Sequence, residues 1–285
     1  MVITGDTRIY GLIGDPVEHS LSPLMHNAAF KELNLNCVYI PFHVRSTELS
    51  RAVKGLQSLG ISGFNVTIPH KIPIVKYLDE VEKEASNIGA INTVAIQKGK
   101  LLGYNTDGTG AYRALRAAGS DPRDKNVTIL GAGGAARAVA FHLAPLSRDL
   151  IILNRTQKKA VSLALELHKA GWDVTGRGLT PQTLSEEVPE TDILINATSP
   201  GMYPEVDKTP VGRDLIHPKM TVFDIVYNPP QTTLLRAANE VGAKAVGGLQ
   251  MLVYQGVLAF EIWTGKTPSM KTMTRAIEEH ARRSL

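Results

Sequence analysis

Residues 126–144 read NVTILGAGGAARAVAFHLA, in which a run of buried-strand character, a glycine-rich turn and a helical pattern follow one another directly. The turn, residues 131–136, matches the G-x-G-x-x-G/A pattern, with Gly131 and Gly133 in the first two positions and Ala136 in the third. Glycines there permit a tight turn and let the backbone approach a pyrophosphate, which the exposed N–H groups of the following helix attract. Glycine-rich turns are common, but this one lies between a strand and a helix. The stretch therefore predicts the first strand and helix of a Rossmann-type nucleotide-binding unit.

The end of the next strand pattern indicates which dinucleotide would bind. That strand, DLIILN, ends at Asn154, 23 residues after Gly131. NAD-binding proteins place Asp or Glu there to bind the ribose 2′-hydroxyl, whereas this chain has Asn154, Arg155 and Thr156. A guanidinium suits a 2′-phosphate because it offers a fixed fork of charged donors. We therefore expect NADP as the cofactor. The alternative is that Arg155 is an exposed loop cation.

The composition is that of an ordinary globular protein and excludes several classes. The 285 residues are 43% hydrophobic and 20% charged, and the net charge of +4 comes from scattered basic residues. We therefore expect no nucleic-acid partner, and no apolar run approaches the ~18 residues of a membrane span. The single cysteine, Cys37, lies in a strand pattern, and the eight histidines lack metal-ligand spacing, so no disulfide and no metal are predicted. The start shows no secretory signal, which predicts a cytoplasmic protein.

Strand and helix patterns alternate along the first part of the chain. Strand patterns occur at RIYGLIG, CVYIPFH, GFNVTIP and NTVAIQ, and helical periodicity occurs at 23–34, 46–59 and 71–89. The dipeptide Lys98-Gly99 is a turn signal, and the short strand pattern KLLGYN follows it. This alternation predicts a mainly parallel sheet with helices on both faces.

A second α/β unit follows, and the predicted fold class is therefore α/β with two domains. Two buried-strand runs, TDILINAT and MTVFDIVY, come after the glycine-rich turn, and the chain then becomes strongly helical. We expect a substrate-binding catalytic domain at residues 1–106 and a Rossmann-type NADP-binding domain at residues 107–247. The C-terminal helices, residues 248–285, are expected to pack back on the first domain.

Polar side chains in the first predicted domain are mostly uncharged and lie at the ends of elements. Asn65 and Thr67 form the polar side of the GFNVTIP strand, and Lys71 follows that strand. A strand at the surface would usually carry charges on its polar side, so we expect this side to line a cleft. Ser22 is predicted as the N-cap of a helix that starts at Pro23. Further candidates of this kind are Ser20, Asn92, Asp107 and Gln255.

A series of short segments, in order along the chain, resembles the signature segments of the shikimate dehydrogenase family. They are SLSP (20–23), NVTIPHK (65–71), GAINT (89–93), YNTDG (104–108), GAGGAAR (131–137), NRT (154–156), NATSPGM (196–202), DIVYNP (224–229) and GLQMLVYQ (248–255). Each segment alone is modestly specific, whereas the ordered set is highly specific and covers nearly the whole chain. No position in these segments departs from the family pattern.

The resemblance implies reversible, NADP-linked reduction of 3-dehydroshikimate to shikimate, a step of aromatic amino-acid biosynthesis. It implies that the catalytic residues, which flank the reacting carbon, are Lys71 and Asp107. It implies that Ser20 and Ser22, with Tyr227 nearby, hold the substrate carboxylate, and that the ring hydroxyls bind Asn65, Thr67, Asn92 and Gln255. The cofactor-binding residues would be Gly131, Ala132, Gly133, Gly134, Ala135, Asn154, Arg155, Thr156, Thr198, Met202 and Gly248.

Other functions stay open at this point. A quinate/shikimate dehydrogenase that prefers NAD would carry an acidic residue near Arg155. A glutamyl-tRNA reductase needs a cysteine nucleophile, and Cys37 is poorly placed. A non-catalytic NADP sensor would be free to lose Lys71 or Asp107; both are present, although they could instead form a structural ion pair. A folate-cycle dehydrogenase is the most distant candidate. The sequence leaves the oligomeric state open, with a homodimer as one candidate.

Overall fold

The computed structural model describes residues 3–283. The strands are β1 (Arg8–Gly14), β2 (Cys37–His43), β3 (Gly63–Val66), β4 (Glu80–Val81), β5 (Thr93–Gln97), β6 (Lys100–Tyr104), β7 (Asn126–Leu130), β8 (Asp149–Asn154), β9 (Val174–Gly178), β10 (Ile193–Asn196), β11 (Thr221–Asp224) and β12 (Lys244–Gly247). The helices are α1 (Ser22–Glu32), α2 (Leu49–Ser58), α3 (Lys83–Ile88), α4 (Asp107–Ala117), α5 (Gly134–Leu143), α6 (Gln157–Lys169), α7 (Pro181–Glu187), α8 (Thr233–Glu240), α9 (Gly248–Thr264) and α10 (Met270–Arg283). Within residues 3–283, no helix combines the length and apolar character that a membrane crossing requires.

The chain divides into two compact units. The first contains the chain up to Thr106 and again from Val253 onward, and the second is Asp107–Leu252. The boundary at which the chain returns from the second unit to the first, between Leu252 and Val253, therefore lies inside α9. It is five residues after the predicted boundary at 247/248. The difference arises because the helix begins at Gly248, at the end of the last strand of the second unit, and continues without a break into the first unit.

The first unit is built on a six-stranded sheet of order β2-β1-β3-β5-β6-β4. The pairs β1–β2, β1–β3 and β4–β6 are parallel, whereas β5 is antiparallel to both of its neighbours. The antiparallel pair β5–β6 is closed by Lys98 and Gly99, with φ of 51° and 76°. Two central residues with positive φ are typical of a type I′ hairpin turn, so the predicted turn signal is confirmed.

Two local predictions for the first unit are wrong. Residues 71–89 do not form one helix: a 3-10 helix at Pro73–Tyr77 and the short strand β4 precede α3. The Asp79 N–H donates to the Leu101 carbonyl at 3.0 Å, and the Leu101 N–H donates to the Asp79 carboxylate at 2.7 Å. Pairing with β6 therefore overrides the helical pattern. The strand pattern GFNVTIP also ends early, at Val66, and Ile68 is 55% exposed instead of facing the core.

A buried aromatic cluster in the first unit joins α1, α9 and the sheet. The His26 ring of α1 stacks on Tyr39 at a centroid distance of 4.5 Å and lies 5.4 Å from the Trp263 ring of α9. The Trp263 indole N–H donates to the Val94 carbonyl at 2.9 Å, and Gly63 leaves room for it, since a Cβ there would lie 2.6 Å from the indole nitrogen. His26 is fully buried and neither ring nitrogen has a hydrogen-bond partner. Burial lowers the pKa of His26 from 6.5 to about 3.

The second unit is built on a six-stranded, fully parallel sheet of order β12-β11-β10-β7-β8-β9. Numbered from β7 as the first strand, this is the doubly wound order 3-2-1-4-5-6, in which the strand order reverses between β7 and β10. Gly131 directly follows β7 at this reversal with φ of 112°, and a Cβ there would lie 2.7 Å from the Ala197 carbonyl oxygen. Only glycine therefore fits the predicted turn, which leads directly into α5.

Candidate active site

The two serines of the first unit lie at the start of α1. Ser22 is the first helical residue and Leu21 occupies the N-cap position, without a side-chain capping bond. The N-cap prediction for Ser22 is thus wrong, because the helix begins one residue earlier than the proline suggested. Instead, the Ser22 N–H donates to the Ser20 hydroxyl oxygen at 3.3 Å. Both serines therefore lie at the first helical turn, where the N–H groups favour a carboxylate.

The Asn65 amide is held by three partners inside the first unit. The β3–β5 register places Asn65 opposite Thr93. Its amide nitrogen donates to the Asn92 carbonyl and to the Thr93 hydroxyl, both at 3.1 Å, and its oxygen accepts the Tyr39 hydroxyl at 2.7 Å. Because both amide hydrogens are engaged, the remaining capacity of this 5%-exposed side chain is as an acceptor.

Asn92 joins three segments of the first unit. Its oxygen accepts the Thr106 N–H at 2.8 Å and the Thr93 hydroxyl at 3.0 Å. Its nitrogen donates to the Thr106 hydroxyl at 2.8 Å and to the Gln255 oxygen at 3.3 Å. These partners fill the ordinary donor and acceptor capacity of an amide. The structure thus brings together Asn65, Asn92 and Gln255, which the sequence placed in one site.

The loop that carries Thr67 and Lys71 is fixed by backbone bonds and by His70. The Lys71 carbonyl accepts the N–H of Ile91, the neighbour of Asn92, at 2.7 Å. The fully buried His70 ring bonds the Val44 carbonyl through Nε2 at 2.6 Å, which requires a proton on that nitrogen. The backbone N–H of His70 donates to the Thr67 carbonyl at 2.9 Å. The other ring nitrogen of His70 is buried without a partner.

Asp107 begins α4 and is the first residue of the second unit. Its side chain is 3% exposed. The peptide bond attaches it to Thr106, whose N–H and hydroxyl both bond Asn92. The joint action of Lys71 and Asp107 on one substrate stays a prediction.

The carboxyl ends of β7 and β8 carry the features expected of the adenosine side of a dinucleotide site. The glycine turn leaves the first N–H groups of α5 uncapped by any side chain. Asn154 ends β8 and its amide donates to the Thr156 carbonyl at 3.0 Å, while Arg155 and Thr156 are exposed. Lys158 and Lys159 follow, exposed, in the first turn of α6. Positive charge at a helix N-terminus is unfavourable by itself, and an anion there would compensate it.

An ion pair connects the two helices that follow these turns. Arg137 of α5 contacts Glu166 of α6 through both terminal nitrogens, at 2.5 and 3.3 Å. The Arg137 side chain is 12% exposed and the Glu166 side chain is 40% exposed, so solvent screens this pair in part. Hydrogen bonding to Arg137 lowers the pKa of Glu166. The pair therefore links α5, the helix after the glycine turn, to α6, the helix after Arg155.

Sequence reasoning missed a buried polar network at the ends of β10 and β11. Asn196 and Asp224 are register partners, and the Asn196 amide donates to the Asp224 carboxylate at 3.0 Å. The Thr232 hydroxyl donates to the other carboxylate oxygen at 2.6 Å. All three side chains are fully buried. The available signal was a polar residue closing each of two apolar strand patterns.

Four predicted residues lie after the strands β10, β11 and β12. Thr198 donates its N–H and hydroxyl to the Asn196 oxygen, at 3.0 and 2.5 Å. Met202 is 36% exposed and Tyr227 is half-buried. Gly248 opens α9, and a Cβ there would lie 2.2 Å from the Ile225 carbonyl oxygen, so its backbone packs directly on the segment after β11.

The doubly wound sheet, the glycine turn and the basic residues after β8 define the second unit as a dinucleotide-binding domain of the Rossmann class. The family model of the shikimate dehydrogenase substrate binding domain matches residues 12–94, that of shikimate/quinate 5-dehydrogenase matches 114–232, and that of the shikimate 5′-dehydrogenase C-terminal domain matches 248–278. The chain belongs to the shikimate dehydrogenase family, as the resemblance of its sequence segments indicated.

Relatives match the chain over nearly its whole length. The shikimate dehydrogenase (NADP(+)) of Methanocaldococcus jannaschii is 50% identical over 277 residues, which are 97% of this chain and 98% of that protein. A crystal structure of a shikimate dehydrogenase in complex with NADP+ is 48% identical, with a TM-score of 0.91 over 98% of this chain and 97% of the other. The Thermus thermophilus shikimate 5-dehydrogenase in complex with NADP(H) and shikimate is 36% identical, with a TM-score of 0.86 over 98% and 100%.

Proposed function

We propose that this protein catalyses the reversible, NADP-dependent reduction of 3-dehydroshikimate to shikimate, in the biosynthesis of aromatic amino acids. The observation that carries the proposal is the cluster of Asn65, Asn92 and Gln255, a set of neutral amides in the unit that matches the family's substrate-binding domain. Such a set suits a hydroxylated ring. The relatives described above, which match nearly the full length, carry this activity in their names.

The residues at the ends of β7 and β8 fit NADP. The glycine turn admits a pyrophosphate against the N–H groups of α5, with Gly131 held in a conformation and a space that exclude a side chain. Arg155, Lys158 and Lys159 supply positive charge where a ribose 2′-phosphate would lie, and no carboxylate occupies the position that binds a 2′-hydroxyl. Bound NADPH supplies the hydride.

The geometry of the first unit refines the roles of the substrate-binding residues. Ser20 and Ser22, at the first turn of α1, would hold the carboxylate. Asn65 would accept a bond from a ring hydroxyl, because its amide hydrogens already bond Asn92 and Thr93. Gln255, whose oxygen accepts the Asn92 amide at 3.3 Å, would bind a further ring hydroxyl.

Lys71 and Asp107 carry the acid–base chemistry in this proposal. Hydride addition to the ketone carbon leaves negative charge on its oxygen, and the Lys71 ammonium would stabilise that charge and give the oxygen its proton. In the oxidation direction Lys71 takes this proton back. Asp107 would orient Lys71 and accept a bond from the neighbouring hydroxyl. General acid catalysis of this kind contributes about 10²–10⁴-fold to the rate.

The test is an NADPH-oxidation assay with 3-dehydroshikimate on wild type, Lys71→Ala and Asp107→Ala. We expect kcat to fall by about 10²–10⁴-fold for Lys71→Ala, with NADP+ affinity unchanged in a direct titration. Lys54→Ala, which removes an exposed lysine from α2 of the same unit, is the matched control and should keep full activity. Full activity in both site variants would contradict the assigned roles.

Quinate with NAD is the second candidate, because the family model that matches residues 114–232 covers shikimate and quinate 5-dehydrogenases alike. Arg155 favours the NADP enzyme. Parallel assays with quinate and NAD+ separate the two, and a higher kcat/KM for that pair would replace the proposal.

We further propose that the protein is cytoplasmic and forms a homodimer. The family's biosynthetic role supports the first. Light scattering after size-exclusion chromatography measures the mass in solution, and a value near the chain mass of 30.9 kDa would exclude the dimer.

A further inference from the structure

The Asp224 carboxylate is the centre of the buried network in the second unit. It accepts bonds from three donors: the Asn196 amide at 3.0 Å, the Val226 N–H at 3.1 Å and the Thr232 hydroxyl at 2.6 Å. The donors come from the end of β10, the segment after β11 and the N-cap of α8. One side chain therefore connects three segments at the carboxyl edge of the sheet.

This edge belongs to the second half of the doubly wound sheet. In such folds each half, a set of three strands, binds one mononucleotide. The half formed by β7, β8 and β9 carries the glycine turn, which would bind the pyrophosphate, and Arg155, which would bind the adenosine ribose 2′-phosphate. The half formed by β10, β11 and β12 is left for the nicotinamide mononucleotide.

We propose that Asp224 is a positioning residue that holds the segments after β10 and β11 in the geometry that binds the nicotinamide half of the cofactor. The inference rests on the proposed function in one respect, the binding of NADP.

Two bonds of the network order segments that carry residues predicted for the site. Asn196, held by Asp224, accepts the N–H and hydroxyl of Thr198. The bond from Val226 fixes the backbone directly before Tyr227. The same segment packs against Gly248, where a Cβ would lie 2.2 Å from a carbonyl oxygen, so it has little room to move.

A carboxylate suits this position better than an amide. The Thr232 oxygen accepts the Leu235 N–H at 3.2 Å as the cap of α8, so its proton must point to an acceptor, which Asp224 supplies. An asparagine could keep its oxygen toward Asn196 and Val226, but its NH2 group would then face the Thr232 proton. Burial raises the pKa of Asp224, while the three donors oppose that shift.

The experiment measures binding of two nucleotides to the full-length protein by titration calorimetry at a temperature below any unfolding. NADP+ occupies both halves, whereas adenosine 2′,5′-bisphosphate occupies the adenosine half alone. For Asp224→Asn we expect the Kd of NADP+ to rise by about tenfold or more, as the loss of a buried charge-assisted bond implies. The Kd of the bisphosphate should change less than about twofold, as expected if the loss is confined to bonds in the other half. An equal rise for both nucleotides would show general disorder, and unchanged values for both would show that Asp224 has no positioning role; either overturns the inference.

A second pair of variants keeps the test decisive if Asp224→Asn does not fold. Thr232→Val replaces the hydroxyl by a methyl group of similar size, whereas Thr232→Ser keeps the hydroxyl. We expect Val to weaken NADP+ selectively and Ser to recover wild-type affinity; equal affinities for Val and Ser would overturn the inference. Wild-type protein that binds neither nucleotide would overturn the cofactor assignment itself, and the inference with it.

Discussion

The buried, unpartnered His26 makes the stability of the first unit depend on pH in a calculable way. The pKa of His26 falls from 6.5 in the unfolded chain to about 3 in the fold, because burial disfavours the charged ring. Between these values the unfolded state binds more protons than the folded state, so stability is present above pH 6.5 and is lost as the pH falls. The loss is about 1.4 kcal/mol per pH unit below 6.5, or about 2 kcal/mol at pH 5.

His26→Phe removes the titrating ring and keeps an aromatic side chain against Tyr39 and Trp263. We therefore expect the free energy of unfolding to fall by about 2 kcal/mol less between pH 7.5 and pH 5 in the variant than in wild type. The difference between two pH values is the relevant quantity, because the larger phenylalanine changes packing equally at both.

Urea unfolding followed by tryptophan fluorescence provides the measurement. The chain has two tryptophans, and a Trp172→Phe background leaves Trp263, which lies 5.4 Å from His26, as the reporter for the first unit. His168→Phe, at an exposed position of α6, is the matched control and should keep the wild-type pH dependence. The same loss in His26→Phe as in wild type would refute the reasoning.

Three further predictions concern other sites. Arg155→Ala should raise the Kd of NADP+ by about tenfold to a hundredfold, because a charge-assisted bond contributes ~1.5–3 kcal/mol, and should leave the Kd of NAD+ nearly unchanged. Both values can be measured by fluorescence titration with each nucleotide, and an equal loss of affinity for NADP+ and NAD+ would refute the phosphate contact. Gly131→Ala should abolish nucleotide binding and lower the free energy of unfolding by about 1–3 kcal/mol, because φ is 112° and a carbonyl oxygen lies 2.7 Å from the new Cβ. The control Gly55→Ala, in open space on α2, should raise the free energy of unfolding by about 1 kcal/mol. Comparable nucleotide binding in both variants would contradict the steric argument. His70→Gln keeps a donor where Nε2 bonds the Val44 carbonyl, whereas His70→Asn does not. We therefore expect only the Asn variant to have a lower kcat, at unchanged NADP+ affinity. Equal kcat values in the two variants would contradict a role of this bond in holding the loop of Lys71.

Elements with a local cause could be predicted from the sequence. The glycine turn after β7 depends on residues adjacent in the chain, and so does the hairpin at Lys98 and Gly99. Strand β4 could not be predicted, because its residues become a strand only through pairing with β6, and Asp79 is held by Leu101, more than twenty residues away. The antiparallel direction of β5 likewise depends on its neighbours and not on its own pattern.

The polar residues of the site divide in the same way. The sequence was enough to select these residues as candidates for the site, since amides and hydroxyls at strand ends are unusual. It was not enough to identify their partners, because the bonds of Asn92 to Gln255 and of Asn196 to Asp224 cross 163 and 28 residues. The register of β10 against β11 is what places the last pair side by side. A sequence gives the donors and acceptors of such a network, and only the strand order says which of them meet.

This distinction separates two kinds of residue in the proposed enzyme. Asn92 and Asp224 are each fixed by bonds to several elements within their own unit, so they are ordered before a ligand binds. Prior order avoids the ~0.5–1.5 kcal/mol that immobilising a flexible side chain costs on binding. Lys71 has a different part in the proposal, because it would exchange a proton with the reacting oxygen, and its long side chain is half-buried. Substitutions at Asn92 or Asp224 should therefore appear mainly in ligand affinity, whereas substitution of Lys71 should appear in turnover at unchanged cofactor affinity.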